Sequence, residues 1–117
     1  MLVEDQANFR HLMTTLISRQ PDLEVVAEAG SLTEVRKLAD TVSLDVAVLD
    51  FGLPDGDGAD LISELRRGNP GVKVLILSAT LDPRNTAKAR DAGADEIMDK
   101  FFPLDEVLRT VRRLAGA

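Results

Sequence analysis

The stretch VAVLD, Val46–Asp50, is an apolar run of four residues closed by a carboxylate. Residues 72–77 form a second run, apolar but for Lys73, followed by Ser78 and Ala79. Neither run alternates apolar with polar positions. A strand that is apolar throughout is buried on both faces, as strands are in a parallel sheet covered by helices. Residues 23–29 read as a further strand, and residues 96–99 as a short last one. Leu2-Val3 would be a first strand cut very short.

Between these runs the apolar period changes to that of a helix. Phe9, Leu12, Met13, Leu16 and Ile17 recur at i, i+3, i+4, i+7 and i+8. Ser31-Leu32-Thr33-Glu34 is a capping box leading into Val35, Leu38 and Ala39. Leu61, Ile62 and Leu65 mark a third helix, ended by the turn Gly68-Asn69-Pro70-Gly71. A mostly polar fourth helix is expected from Pro83 to Ala92, with Gly93 as its C-terminal cap. Pro103 opens a fifth, carrying Leu104, Val107, Leu108, Val111 and Leu114.

A strand followed by a helix, five times over, predicts an α/β fold: a parallel five-stranded sheet with helices on both faces. Right-handed crossovers leave few topologies. The expected one is the flavodoxin-like (βα)5 three-layer sandwich of strand order 2-1-3-4-5, with a truncated first strand. At 117 residues the chain is expected to be one domain, 1–117. A first strand so short would leave its neighbours' backbone unpaired. A few further strand residues are therefore expected before Met1. The ending Arg112-Arg113-Leu114-Ala115-Gly116-Ala117 reads as the exit into a linker.

Composition narrows the chemistry. The formal net charge is −6, so neither the DNA backbone nor an anionic membrane attracts this chain. Any role at DNA would need another domain. The sequence holds no cysteine, which removes disulfides, thiolate zinc and thiol catalysis. No apolar run approaches the length of a membrane span, and the acidic N-terminus is not a signal peptide. The expectation is a cytoplasmic domain without membrane contact.

In open α/β sheets the working site lies at the carboxyl ends of the strands. The first strand is followed there by Glu4 and Asp5, and the third ends at Asp50. Ser78 follows the fourth strand and Lys100 the fifth. Three carboxylates, a hydroxyl and a lysine thus collect at one edge. Like charges a few Å apart raise one another's pKa, and proteins accept this chiefly where a cation sits among them. Hard oxygen donors suit Mg2+, which binds a few carboxylates together with phosphate oxygens. The set suits phosphoryl transfer to a carboxylate.

The same residues carry a resemblance. Val3-Glu4-Asp5, VLDFGLPDGDG from Val48 to Gly58, Leu77-Ser78-Ala79, Ala92-Gly93-Ala94 and Lys100 with Pro103 stand in the order and spacing of the receiver domain of bacterial response regulators. Over most of its length the chain resembles that family, and around LEVVAEAGS, residues 23–31, it resembles the NarL/FixJ (LuxR-type) subgroup. The resemblance implies Asp50 as phosphoacceptor and Mg2+ held by Glu4, Asp5, Asp50 and the Gly52 carbonyl. It implies Lys100 and Ser78 as the groups that contact the phosphoryl oxygens. It also implies a sensor histidine kinase as donor, and a homodimer through the fourth helix, fifth strand and fifth helix. The domain would not be an enzyme in its own right, although it would assist its own phosphorylation and dephosphorylation. The chain departs from the family at Ile97, where an aromatic residue is usual, and at Phe101, where many relatives have a proline preceded by a cis bond. At Phe101 either a trans bond or a conformation held by neighbours is expected.

Other functions compete. Asp50-Phe51-Gly52 spells a kinase magnesium motif, but the other kinase loops are missing and the chain is too short. Counted from Asp55, a calcium loop would need glycine sixth and glutamate twelfth, where Asp60 and Arg66 stand. A haloacid-dehalogenase-like phosphatase would need an aspartate at Gly52. A flavodoxin-like cofactor module would need a phosphate-cradling loop where Glu4 and Asp5 stand. A stand-alone receiver, or a pseudo-receiver serving as an interaction surface, is the alternative. His11 reads as a partly exposed helix residue, Phe101 and Phe102 as core and interface packing, and the Arg66-Arg67 and Arg112-Arg113 pairs as solvated helix ends. Ser78 could simply cap the fourth helix.

Overall fold

The computed structural model describes residues 1–116. Val46–Asp50 forms β3 and Lys73–Ser78 forms β6, paired in parallel with Val46 opposite Lys73 and Asp50 opposite Leu77. Every residue of β3 after Val46, and every residue of β6 after Lys73, is buried. The remaining strands of this sheet are β1 (Leu2–Val3), β2 (Glu28–Ala29) and β7 (Glu96–Asp99). The order is β2-β1-β3-β6-β7, all parallel. A short antiparallel hairpin, β4 (Gly52–Leu53) and β5 (Gly56–Asp57), stands apart, so β6 and β7 are the sheet's fourth and fifth strands. The five-stranded parallel sheet of order 2-1-3-4-5 with a stunted first strand is as the sequence predicts.

The helices are α1 (Ala7–Ser18), α2 (Leu32–Leu38), α3 (Ile62–Gly68), α4 (Pro83–Asp91) and α5 (Leu104–Leu114). Side chains alternate between the two faces of a strand, and here they feed two cores. Val3, Leu49 and Ile76 pack with Val35 of α2, Ile62 and Leu65 of α3 and Ala89 of α4. Leu2, Val48 and Leu75 pack with Met13 and Ile17 of α1 and with Val107, Leu108 and Val111 of α5. Each fully buried Leu, Ile or Val contributes about 1.5–3 kcal/mol. These layers fix the strand ends that carry the polar residues.

Several local expectations change. The strand expected over residues 23–29 forms only at Glu28–Ala29. Its partner is β1, which ends at Leu2 on that side, so residues 23–26 have no ladder to join. The third helix starts with a 3-10 turn at Gly58–Leu61, closed by reciprocal Asp57 and Asp60 caps. The Asp55 carboxylate accepts from the Leu32 and Thr33 backbone N–H groups and the Thr33 hydroxyl, which ties the hairpin to the start of α2. Asp82, not Ser78, caps α4, and Gly93 follows that helix at φ +101°, a conformation glycine adopts freely.

Leu12, Phe101 and Phe102 are exposed rather than core residues. Arg66 donates to the Gly93 carbonyl and to Asp95, both at 2.7 Å, and Arg112 reaches Asp22 and Gln20. These arginines therefore tie elements together rather than merely ending helices. No cis peptide occurs among the described residues, so the bond before Phe101 is trans.

Candidate functional site

Parallel pairing brings the carboxyl ends of four strands to one edge. The ladder runs one residue beyond the strands and holds the backbone there. The Glu4 N–H donates to the Ala29 carbonyl at 2.9 Å, Phe51 to Leu77 at 2.8 Å and Lys100 to Ser78 at 2.9 Å. Glu4, Asp50, Ser78 and Lys100 are the buried polar residues among those described, each at most 7% exposed. Asp5 is exposed at the rim.

Lys100 is the centre of charge. Its Nζ donates to Glu4 Oε1 at 2.7 Å and to Asp50 Oδ2 at 3.2 Å. It also lies 4.9 Å from the centroid of the Phe9 ring, a cation–π contact. One oxygen each of Glu4, Asp5 and Asp50 lie within 4.8 Å of one another. The other Asp50 oxygen, Oδ1, accepts from the Gly52 N–H at 3.2 Å. Arg10 anchors the Glu4 backbone by donating to its carbonyl at 2.6 Å. Ser78 is in place, but its hydroxyl donates to the Thr80 carbonyl and accepts from the Thr80 N–H. Gly52 is exposed in β4, and a side chain built there would meet nothing within 4 Å.

Three carboxylates therefore face one ammonium. Burial, and then the Asp50 carboxylate beside it, push Glu4 up to about 7, against the pull of Lys100. Burial works against the Lys100 ammonium, but Glu4 and Asp50 outweigh it and hold its pKa above the usual lysine value. A divalent cation fits this donor set: it would relieve the carboxylates' mutual repulsion, and hard carboxylate and carbonyl oxygens suit Mg2+ or Ca2+.

The Glu4 shift has a signed consequence for stability. Without metal the folded chain holds a proton on Glu4 that the unfolded chain releases above about 4.5. Glu4 therefore costs stability as pH rises from about 4.5 to 7. The difference in unfolding free energy between wild type and Glu4→Gln, from urea titrations in EDTA, is expected to fall by roughly 3 kcal/mol across that window. A difference that does not change with pH would mean that Glu4 ionises normally.

The sequence names Glu4, Asp5, Asp50, Ser78 and Lys100, and the fold gathers all five at one edge with the Gly52 loop beside them. It gives no site role to Phe9, Arg10 or Thr80, which contact Lys100, Glu4 and Ser78. Phe9 and Arg10 lie in the first turn of α1, directly after the acidic pair, and that position was the available signal.

Residues 1–112 match the response regulator receiver domain. The chain belongs to this family. Over 115 residues this receiver domain is 32% identical to the chemotaxis protein CheY of Listeria monocytogenes, covering 98% of this chain and 97% of CheY. It is 35% identical to the DNA-binding transcriptional activator DevR/DosR of Mycobacterium tuberculosis, over 95% of this chain and 51% of that protein. It superposes on the receiver domain of the putative response regulator NarL from Mycobacterium tuberculosis with a TM-score of 0.90 at 27% identity, covering 99% and 94% of the two chains. The chain thus spans nearly all of CheY and about half of DevR/DosR. Among the described residues, no helix is long and apolar enough to cross a membrane.

Proposed function

We propose that this receiver domain accepts a phosphoryl group on Asp50 from the phosphohistidine of a sensor histidine kinase. The observation that carries the proposal is the buried Asp50 carboxylate, 3.2 Å from Lys100 and grouped with Glu4 and Asp5 at the strand ends. An Asp50 oxygen attacks phosphorus. The P–N bond to the imidazole breaks, and the imidazole nitrogen keeps the bonding pair. Lys100 holds Asp50 in place and offers its ammonium to the phosphoryl oxygens, at the expense of its bond to Asp50. Ser78 reaches the new phosphoryl group by releasing Thr80. Glu4, Asp5, Asp50 and the Gly52 carbonyl are the groups that would hold Mg2+, which when bound neutralises charge on the phosphoryl oxygens.

The domain is not an enzyme on this account; it assists its own phosphorylation and dephosphorylation. Its similarity to DevR/DosR and to the NarL receiver supports a role as the regulatory part of a NarL/FixJ-type transcription regulator. DNA contact would then fall to another domain, the setting would be cytoplasmic, and dimerisation would use α4, β7 and α5. The near-complete coverage of CheY supports a stand-alone receiver as the second reading.

Incubation with acetyl phosphate followed by intact-mass measurement tests the phosphoacceptor role. One phosphoryl group is expected with Mg2+ and none with EDTA. Incorporation undiminished by EDTA would overturn the metal-assisted account. Mg2+ at about 100 times its dissociation constant is expected to stabilise wild type by about 2.7 kcal/mol, and Asp50→Asn by less. Equal stabilisation of the two would remove Asp50 from the metal site.

A further inference from the structure

Among the described residues the Lys100 ammonium has three attractive partners. They are Glu4 Oε1 at 2.7 Å, Asp50 Oδ2 at 3.2 Å and the Phe9 ring, whose centroid lies 4.9 Å away. Both carboxylates belong to the oxygen cluster suited to a divalent cation. A hard cation takes oxygen donors and leaves an aromatic face alone. Lys100 also gives up Asp50 when it turns to a phosphoryl group. The ring is thus the one partner that neither a cation nor a phosphoryl group competes for.

The local fold sets the ring in place. Phe9 lies in the first turn of α1, and two hydrogen bonds hold that turn against Glu4. The Gln6 N–H donates to Glu4 Oε1 at 3.2 Å, and Arg10 donates to the Glu4 carbonyl at 2.6 Å. Phe9 itself is half-buried against the α1–α5 core. Phe9 and Lys100 line a groove of about 230 Å3 whose other lining residues, among them Leu12, Met13, Leu104 and Val107, are all apolar. On that side no oxygen- or nitrogen-bearing side chain competes with the ring for the ammonium. The Lys100 side chain is only 6% exposed, and a cation over an aromatic face gains most where water is excluded.

We infer that Phe9 is a positioning residue for phosphoryl transfer. Its ring seats the Lys100 ammonium as that group passes from Glu4 and Asp50 to the phosphoryl oxygens. The inference rests on the phosphoacceptor reading of Asp50, and it assigns the effect to the electron density of the ring face. A side chain of similar bulk without that density would fill the same space and leave the ammonium without its seat.

Fluorination drains electron density from an aromatic face with little change in size. The test therefore replaces Phe9 with mono-, di- and trifluorinated phenylalanine, and separately with leucine. Intact mass follows phosphorylation by acetyl phosphate in Mg2+. The rate is expected to fall stepwise with each fluorine and to be roughly tenfold lower in Phe9→Leu. Proton NMR supplies a readout independent of activity. The Lys100 ε-methylene protons are expected upfield of those of Lys37, Lys73 and Lys88, in EDTA and in Mg2+ alike, and to lose that ring-current shift in Phe9→Leu. A rate indifferent to fluorination would make Phe9 a packing residue, whatever the leucine variant does, and would overturn the inference. So would ε-methylene protons that lack the shift, or that lose it when Mg2+ is added. These outcomes leave the phosphoacceptor reading standing, whereas a wild type that takes up no phosphoryl group overturns that reading and the inference with it.

Discussion

Gly58→Ala is expected to lose on the order of 3 kcal/mol of stability, with phosphorylation of Asp50 lost alongside. Gly58 is buried, and its N–H donates to the Phe51 carbonyl at 2.8 Å. A Cβ built on it would lie 2.2 Å from the Asp50 carbonyl oxygen, 3.1 Å from its carbon and 3.4 Å from Leu49 Cβ. The first two are backbone atoms of β3, held between β1 and β6, so no side-chain rotation relieves the overlap. Either the 3-10 turn moves out or the end of β3 is displaced, and the Asp50 carboxylate moves with it. Gly52→Ala is the control, because nothing lies within 4 Å of a Cβ at that position. Its cost is expected to stay below about 1 kcal/mol. Urea midpoints for the two variants check the pair. Equal losses would show that the loop matters through flexibility and not through the close approach of Gly58 to Asp50.

Lys100→Met removes the cation bonded to the buried Glu4 and Asp50 carboxylates and is expected to cost about 3–5 kcal/mol at pH 7.5 in EDTA. The shape of lysine is roughly kept, so the loss is electrostatic. Without the ammonium, Glu4 and Asp50 repel each other with less compensation, and Glu4 protonates at still higher pH. The variant should therefore regain stability as pH falls from 7.5 to 5, and Mg2+ should restore part of the loss. Asp50→Asn alone is expected to be neutral or stabilising in EDTA, because it removes one of the crowded charges. The double variant should be more stable than Lys100→Met, which yields a coupling energy from the cycle. A Lys100→Met variant as stable as wild type at pH 7.5 would mean that the three side chains are not coupled.

Much of this site is legible in the sequence because a parallel sheet sends its carboxyl ends to one edge. Once residues 46–49 and 72–77 read as buried strands, Asp50, Ser78, Lys100, Glu4 and Asp5 emerge as neighbours without knowledge of any distance. What escapes the sequence is whatever depends on a partner far along the chain. Residues 23–27 include Leu23, Val25 and Val26, a good strand composition, yet ladder formation requires a neighbour that β1 does not supply. Two-residue strands such as β4 and β5 have no periodicity to detect. The close approach of Gly58 to Asp50 and the capping of Leu32 and Thr33 by Asp55 exist only after the chain has folded. The pairing of Ser78 with Thr80 is local, but a single serine before a turn gives no sign of which oxygen it will choose.

The central claim is that Asp50, alone among the aspartates from residue 50 to residue 60, is the phosphoacceptor. Peptide mapping by mass spectrometry after treatment with Mg2+ and acetyl phosphate measures this directly. The account predicts a single phosphoryl group on Asp50 in wild type and none in Asp50→Asn. A phosphoryl group on Asp55, Asp57 or Asp60, or equal incorporation in Asp50→Asn, would contradict it.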